Sequence, residues 1–136
     1  MSTEYALLLP GKEDGWANAT PEERAAVYAQ HTEFMRLLGE RGHRMTGGAE
    51  LTHSREAKVV RGSLDAVTVT DGPYAEAAEQ LTGFYMVETD DLDDLLKLCG
   101  LLSGGEAIEV RATVPPPGDE SADSSVDVSA DTSARV

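Results

Sequence analysis

The tripeptide Asp71-Gly72-Pro73 limits what lies on either side of it. Aspartate hydrogen-bonds its own backbone, glycine tolerates positive φ, and proline fixes φ and donates no backbone hydrogen bond. No regular element passes through such a point, so the chain must turn there. Ala66 to Thr70 precedes it as an apolar, β-branched run that reads as a strand ending at Thr70. A polar run with Glu76, Glu79 and Gln80 follows, and Gly83 opens a second apolar strand to Thr89.

The rest of the chain arranges itself around this pair of strands. Tyr5 to Leu9 is an apolar run closed by Pro10-Gly11 and reads as a buried strand. Lys12 to Ala19 reads as a loop carrying the only tryptophan, Trp16. Thr20-Pro21-Glu22-Glu23 is a helix start: Thr20 caps, Pro21 suits the first helical position and Glu23 completes a capping box. The helix is expected over 21–41, stopping at Gly42, with Val27, His31, Phe34 and Leu38 on one inner face. Arg44 to Leu51 has extended character, and Gly47-Gly48 within it allows a bulge or a close backbone approach.

Ala57 to Arg61 and Ala66 to Thr70 form a hairpin around Gly62-Ser63-Leu64-Asp65. Thr89 or Asp90 caps a second helix with Leu92, Leu95, Leu96, Cys99 and Leu102 as its apolar face. A last strand is expected over 107–113, with Ile108, Val110 and Ala112 alternating. From Pro115 the chain turns to Ser, Asp and Ala. Residues 115–136 are therefore expected to form a disordered acidic tail beside a single domain over 1–114.

The 136 residues suffice for one domain with a real core, and 40% hydrophobic content indicates a globular chain. A net charge of −14 repels phosphate backbones and anionic lipid, which excludes nucleic acid and membrane surfaces as expected partners. Met1 to Glu4 lacks a basic stretch before an apolar one, and no apolar run approaches the ~18 residues of a span. The expected location is the cytoplasm. Cys99 stands alone, so no internal disulfide can form.

The ordered set Asp71, Gly72, Pro73, Ala75, Glu76, Glu79, Gln80, Leu81, Gly83 and Phe84 resembles the DGPF family of small bacterial proteins, which belongs with the YCII-related domains. Tyr74 stands where the family name has phenylalanine. The run from His31 to Gly42, followed by Gly47-Gly48, resembles the YCII-related helix that carries a catalytic histidine. The likeness spans about Tyr5 to Val114. It implies a ferredoxin-like α+β fold, βαββαβ with an added hairpin, pairing into a dimeric α+β barrel.

The element order read from the residues, β-α-β-hairpin-β-α-β, agrees with that fold. With both helices on one side, the other sheet face needs cover. Tyr85, Val87 and Val110 are expected to present it to a second copy in a homodimer.

His31 is the first candidate for chemistry. A histidine on an inner helix face can line a cleft, and an ordinary pKa of ~6.5 suits proton transfer. It can equally be a core-edge histidine bonded to a carbonyl or carboxylate. The YCII-related pattern pairs its histidine with an aspartate after the second helix. That region here reads C-G-L-L-S-G-G, and Asp71 is the substitute, either catalytic or the residue of an Asx-turn.

Glu76, Glu79 and Gln80 are candidates for substrate binding or for a dimer interface, and Trp16 for a lid over a pocket or a cover for the core edge. The acids Glu88 to Asp94 suit a helix N-terminus and lack the spacing of a calcium loop. His31, His43, His53 and Cys99 lack zinc spacing, and there is no G-x-S-x-G, phosphate loop or dinucleotide fingerprint. No metal or cofactor is expected. Two functions remain open. One is a cofactor-independent acid–base enzyme of isomerase or lyase type acting on a small cyclic or aromatic molecule. The other is a non-catalytic small-molecule-binding or regulatory module. The DGPF likeness links that second reading to extracytoplasmic-function sigma factors.

Overall fold

The computed structural model describes residues 2–104 and 106–118. Its elements are β1 (Thr3–Gly11), α1 (Glu13–Ala17), α2 (Pro21–Glu40), β2 (Arg44–Glu50), a 3-10 turn (Ser54–Glu56), β3 (Lys58–Ser63), β4 (Ala66–Asp71), β5 (Gln80–Thr89), α3 (Leu92–Ser103) and β6 (Glu109–Ala112). The class is α+β. Four strands form one antiparallel sheet in the order β2-β5-β1-β6, while β3 and β4 form a separate two-stranded sheet. Most of the expected acidic tail lies outside the described residues.

α2 begins as its sequence dictates. The Thr20 hydroxyl accepts from Glu23 N at 3.1 Å and Glu23 Oε1 accepts from Thr20 N at 2.8 Å, so two otherwise unpaired donors are satisfied reciprocally. Gly42, at φ 85°, ends the helix in a conformation that side chains resist. Phe34 and Leu38 then lie fully buried against Leu7 of β1, Val87 of β5 and Leu95 of α3. Burying each such side chain contributes roughly 1.5–3 kcal/mol.

Strand alternation sorts the sheet into two faces. Tyr5, Leu7, Leu9, Tyr85, Val87 and Val110 belong to or pack on the helix-covered core. This corrects the assignment of Tyr85, Val87 and Val110 to the open face: Val87 is fully buried and Phe34 stacks on Tyr85. The open face falls to their neighbours in register, Ala6 opposite Met86 and Leu8 opposite Phe84.

Several boundaries also differ. Residues 13–17 form a short helix where a loop was expected, with Glu13 and Asp14 in its first turn. The cap of α3 is Asp91, whose side chain accepts from Asp94 N at 3.1 Å. Thr89 instead turns inward to His43, with Oγ1 and Nδ1 2.7 Å apart. On the apolar face of α3, Leu98 is buried while Leu96 is 45% exposed. The hairpin turn is tighter than expected, since Gly62 and Ser63 pair with Val67 and Ala66 and leave Leu64-Asp65 to make the reversal.

His43 ties α2, β2 and α3 together. It is buried, and its Nε2 lies 2.8 Å from Asp94 Oδ2, while Arg41 donates to the other carboxylate oxygen at 2.7 Å. The hydrogen bond from His43, then that from Arg41, hold the Asp94 carboxyl below its ordinary range. A group with a depressed folded pKa stabilises the fold above its unfolded pKa of ~3.9 and loses that contribution as pH falls. Asp94→Asn should therefore melt below wild type at neutral pH, with the difference in melting temperature shrinking as pH drops below about 4. A difference independent of pH would show that the carboxylate charge is not what His43 and Arg41 hold.

Candidate functional site

Beneath the first half of α2 the sheet is not covered by core side chains. A cavity of about 1440 Å³ opens there, walled by α1, α2, β2, β5 and the segment joining α3 to β6. The helical spacing that buries Phe34 and Leu38 places Val27 and His31 on its wall.

Tyr85 faces His31 from β5. Its ring stacks on Phe34, with centroids 5.6 Å apart and planes at 30°, and its hydroxyl lies 2.6 Å from His31 Nδ1. The ring occupies this position because Gly48 faces it across the β2–β5 pair. A Cβ on Gly48 would stand 2.7 Å from Tyr85 Cδ1 and 2.8 Å from the Phe84 carbonyl oxygen. The close approach and the bulge expected at Gly47-Gly48 are both present, the bulge lying between Met45 and Gly47.

Burial lowers the His31 pKa, and the nearby Glu50 carboxylate offsets part of that effect. Burial raises the Tyr85 pKa, and Glu50 raises it further. Both groups are therefore neutral near pH 7. A phenol can donate or accept, so Tyr85 suits either tautomer of His31. When Tyr85 donates to Nδ1, Nε2 carries a proton; when Nδ1 donates to Tyr85, Nε2 presents a lone pair. Nε2 has no hydrogen-bond partner among the described residues. The pair can thus give or take a proton without breaking its own contact.

Glu50 closes one side of the site. Its Oε1 accepts from the Tyr28 hydroxyl at 3.0 Å, and that bond is the largest cause of a raised Tyr28 pKa. Trp16 meets Tyr28 edge-on, with centroids 5.5 Å apart and planes at 89°. Arg24 fixes α1 to α2 by donating to the carbonyls of Trp16 and Ala17 at 3.1 and 3.0 Å, with its guanidinium 5.3 Å from the Trp16 ring centroid.

The other candidates lie elsewhere. Asp71 sits on β4, 78% exposed, with its carboxylate 2.7 Å from Lys58 Nζ; that hydrogen bond lowers the Asp71 pKa and raises that of Lys58. Asp71 is not among the residues walling the His31 cavity. Glu76 and Gln80 line a smaller cavity of about 590 Å³ beside the cis peptide Gly72-Pro73, and Glu79 lines neither. Gln80 Nε2 donates to the Ala75 carbonyl at 2.8 Å and so braces its own loop.

Glu13 and His53 border both cavities. Glu13 accepts from Ser54 N at 2.7 Å and from Ser54 Oγ at 2.5 Å. His53 Nδ1 accepts from Arg55 N, so His53 Nε2 donates to Asp14 at 3.2 Å. No group of three or more His, Cys, Asp or Glu among the described residues could hold a metal ion. Sequence reasoning missed Tyr85, Glu50 and Tyr28. Gly47-Gly48 was the one available pointer, since a glycine that permits close approach implies something that approaches.

Together these features define a small α+β domain with a cavity, walled in part by His31, over an antiparallel sheet. The chain belongs to the YCII-related domain family, whose match covers residues 3–100. It is similar to the uncharacterized protein R00369 of Rhizobium meliloti (strain 1021), with 32% identity over 99 residues, 73% of this chain and 79% of that protein. No helix among the described residues is long and apolar enough to cross a membrane.

Gly48→Ala should displace Tyr85 and destabilise the fold by about 1–3 kcal/mol, the usual cost of overpacking. Gly47→Ala meets only the Met86 side chain, Cγ at 3.6 Å and Cβ at 3.8 Å, and should be tolerated. Urea denaturation of the two variants checks the contrast.

Proposed function

We propose that the large cavity receives a small cyclic or aromatic molecule and that His31, coupled to Tyr85, exchanges a proton with it. The protein on this reading is a cofactor-independent acid–base enzyme of isomerase or lyase type. The observation that carries the reading is the 2.6 Å contact between His31 Nδ1 and the Tyr85 hydroxyl at the wall of the cavity. A histidine that merely filled space would not need its second nitrogen on an open wall. Tyr85 takes the orienting role that the sequence suggested for Asp71, which is engaged with Lys58.

The test is deuterium uptake from D₂O into carbon acids such as small cyclic ketones and lactones, followed by proton NMR. Wild type should accelerate exchange of at least one, and His31→Ala should lose about 10²–10⁴-fold of that rate. Tyr85→Phe should shift its pH dependence. Equal rates in His31→Ala, with ligand binding retained, would leave a non-catalytic binding or regulatory module. That second reading draws support from the hairpin β3–β4. Val60, Val67 and Val69 on it are 63%, 51% and 56% exposed, and a solitary hairpin is marginal in water unless something packs on it.

The strand order and the two long helices on one face support a ferredoxin-like assignment. The apolar centre of the open face, Ala6, Leu8, Phe84 and Met86, supports a homodimer built sheet to sheet as a dimeric α+β barrel. Light scattering at micromolar concentration should report a dimer for wild type and a monomer for Leu8→Glu. A wild-type monomer would remove the barrel.

A further inference from the structure

The cavity has a charge preference that the acid–base reading leaves open. The lining includes the only tryptophan and two of the four tyrosines: Trp16, Tyr28 and Tyr85. Trp16 and Tyr28 meet edge to face, and Glu50 holds Tyr28 through its hydroxyl. Trp16 already has a guanidinium against it, that of Arg24, which does not line the cavity. The Glu50 carboxylate lies close enough to act on Tyr28, His31 and Tyr85 together, and no lysine or arginine pairs with it among the described residues. Oε1 is taken by Tyr28, and Oε2 has no hydrogen-bond donor among the described residues.

Glu106, also on the lining, carries a buried carboxylate oxygen with no hydrogen-bond partner among the described residues. The other wall acids are committed locally, Glu13 to Ser54 and Glu23 to the cap of α2. The opposing cations on the lining are Lys12 and Arg55, both exposed. An anion in this corner of the cavity would face the Glu50 carboxylate beside the rings of Tyr28 and Trp16. A cation gains from both.

We propose that the site selects an organic cation, a cyclic or aromatic amine whose ammonium group sits between Glu50 and the rings of Tyr28 and Trp16 while its carbon skeleton lies toward His31. This rests on the reading of the cavity as the ligand site and adds the ligand's charge. Ring faces attract ammonium groups, and a carboxylate completes the neutralisation. Glu50 is thereby a specificity-determining residue.

The experiment measures binding of three matched probes at pH 7: benzylamine, benzyl alcohol and benzoate. Isothermal titration and thermal shift are read on wild type, Glu50→Gln, Glu106→Gln and His31→Ala. Benzylamine should bind tightest. Glu50→Gln should weaken benzylamine about tenfold or more, as expected for a lost charge-assisted contact, and leave benzyl alcohol unchanged. Glu106→Gln should weaken benzylamine, because it removes a carboxylate from the cavity lining.

Benzoate binding as tightly as benzylamine, with His31→Ala weakening both, would overturn the charge assignment and keep the cavity as the site. So would benzylamine affinity indifferent to Glu50→Gln. Failure of all three probes to bind, or binding unmoved by His31→Ala, would remove the cavity reading itself, and the charge assignment with it.

Discussion

The seating of α2 on β5 is the contact on which the rest depends. Phe34 is fully buried and stacks on Tyr85, and that stack fixes the tyrosine ring over Gly48. One turn back along the same helix face, the hydroxyl of that ring meets His31. Core packing and the candidate site are therefore one construction. The half of α2 carrying Phe34 and Leu38 is sealed, while the half carrying Val27 and His31 overhangs a cavity. The same periodicity supplies stability at one end and an accessible titratable group at the other.

A chain with net charge −14 must place its acids where something neutralises them. Much of that work is local. Glu23 closes a capping box, Asp91 caps α3, Glu33 and Glu40 hold Arg36 on the exposed face of α2, and Asp94 is shared by His43 and Arg41. Against that background the exception on the cavity wall is Glu106, one of whose carboxylate oxygens is buried without a hydrogen-bond partner among the described residues. A buried carboxylate oxygen without a partner costs stability that ordinary packing would not give up, so Glu106 marks the cavity more than the fold.

Much of the fold was legible because its signals are local. The Thr20-to-Glu23 cap, the stop at Gly42 and the stripe Val27, His31, Phe34, Leu38 each follow from spacing alone. The alternation in β6, and the strands β1 and β5 as apolar runs, were legible too. Their assignment to faces was not, since a period of two names two faces and leaves to packing which one the helices cover. α1 was read as a loop because five residues around Gly15 carry little periodicity, and their position is fixed by Arg24, eight residues beyond Trp16.

In the site, His31 and Trp16 were visible as candidates and both line the cavity. Tyr85 was hidden among apolar strand residues. Its partner His31 is 54 positions away, a separation on which sequence spacing carries no information. Asp71 drew notice through its motif, and its carboxylate accepts from Lys58 across the hairpin, away from the His31 cavity.

The central claim is that His31 is a neutral, proton-exchanging group held by Tyr85. Nitrogen-15 NMR of the histidine side chains across a pH series tests it most directly. The account predicts that His31 titrates below the ordinary value of ~6.5, with Nδ1 perturbed by the Tyr85 hydroxyl in wild type and not in Tyr85→Phe. A His31 that titrates at or above that value, with ring nitrogens indifferent to Tyr85→Phe, would contradict it.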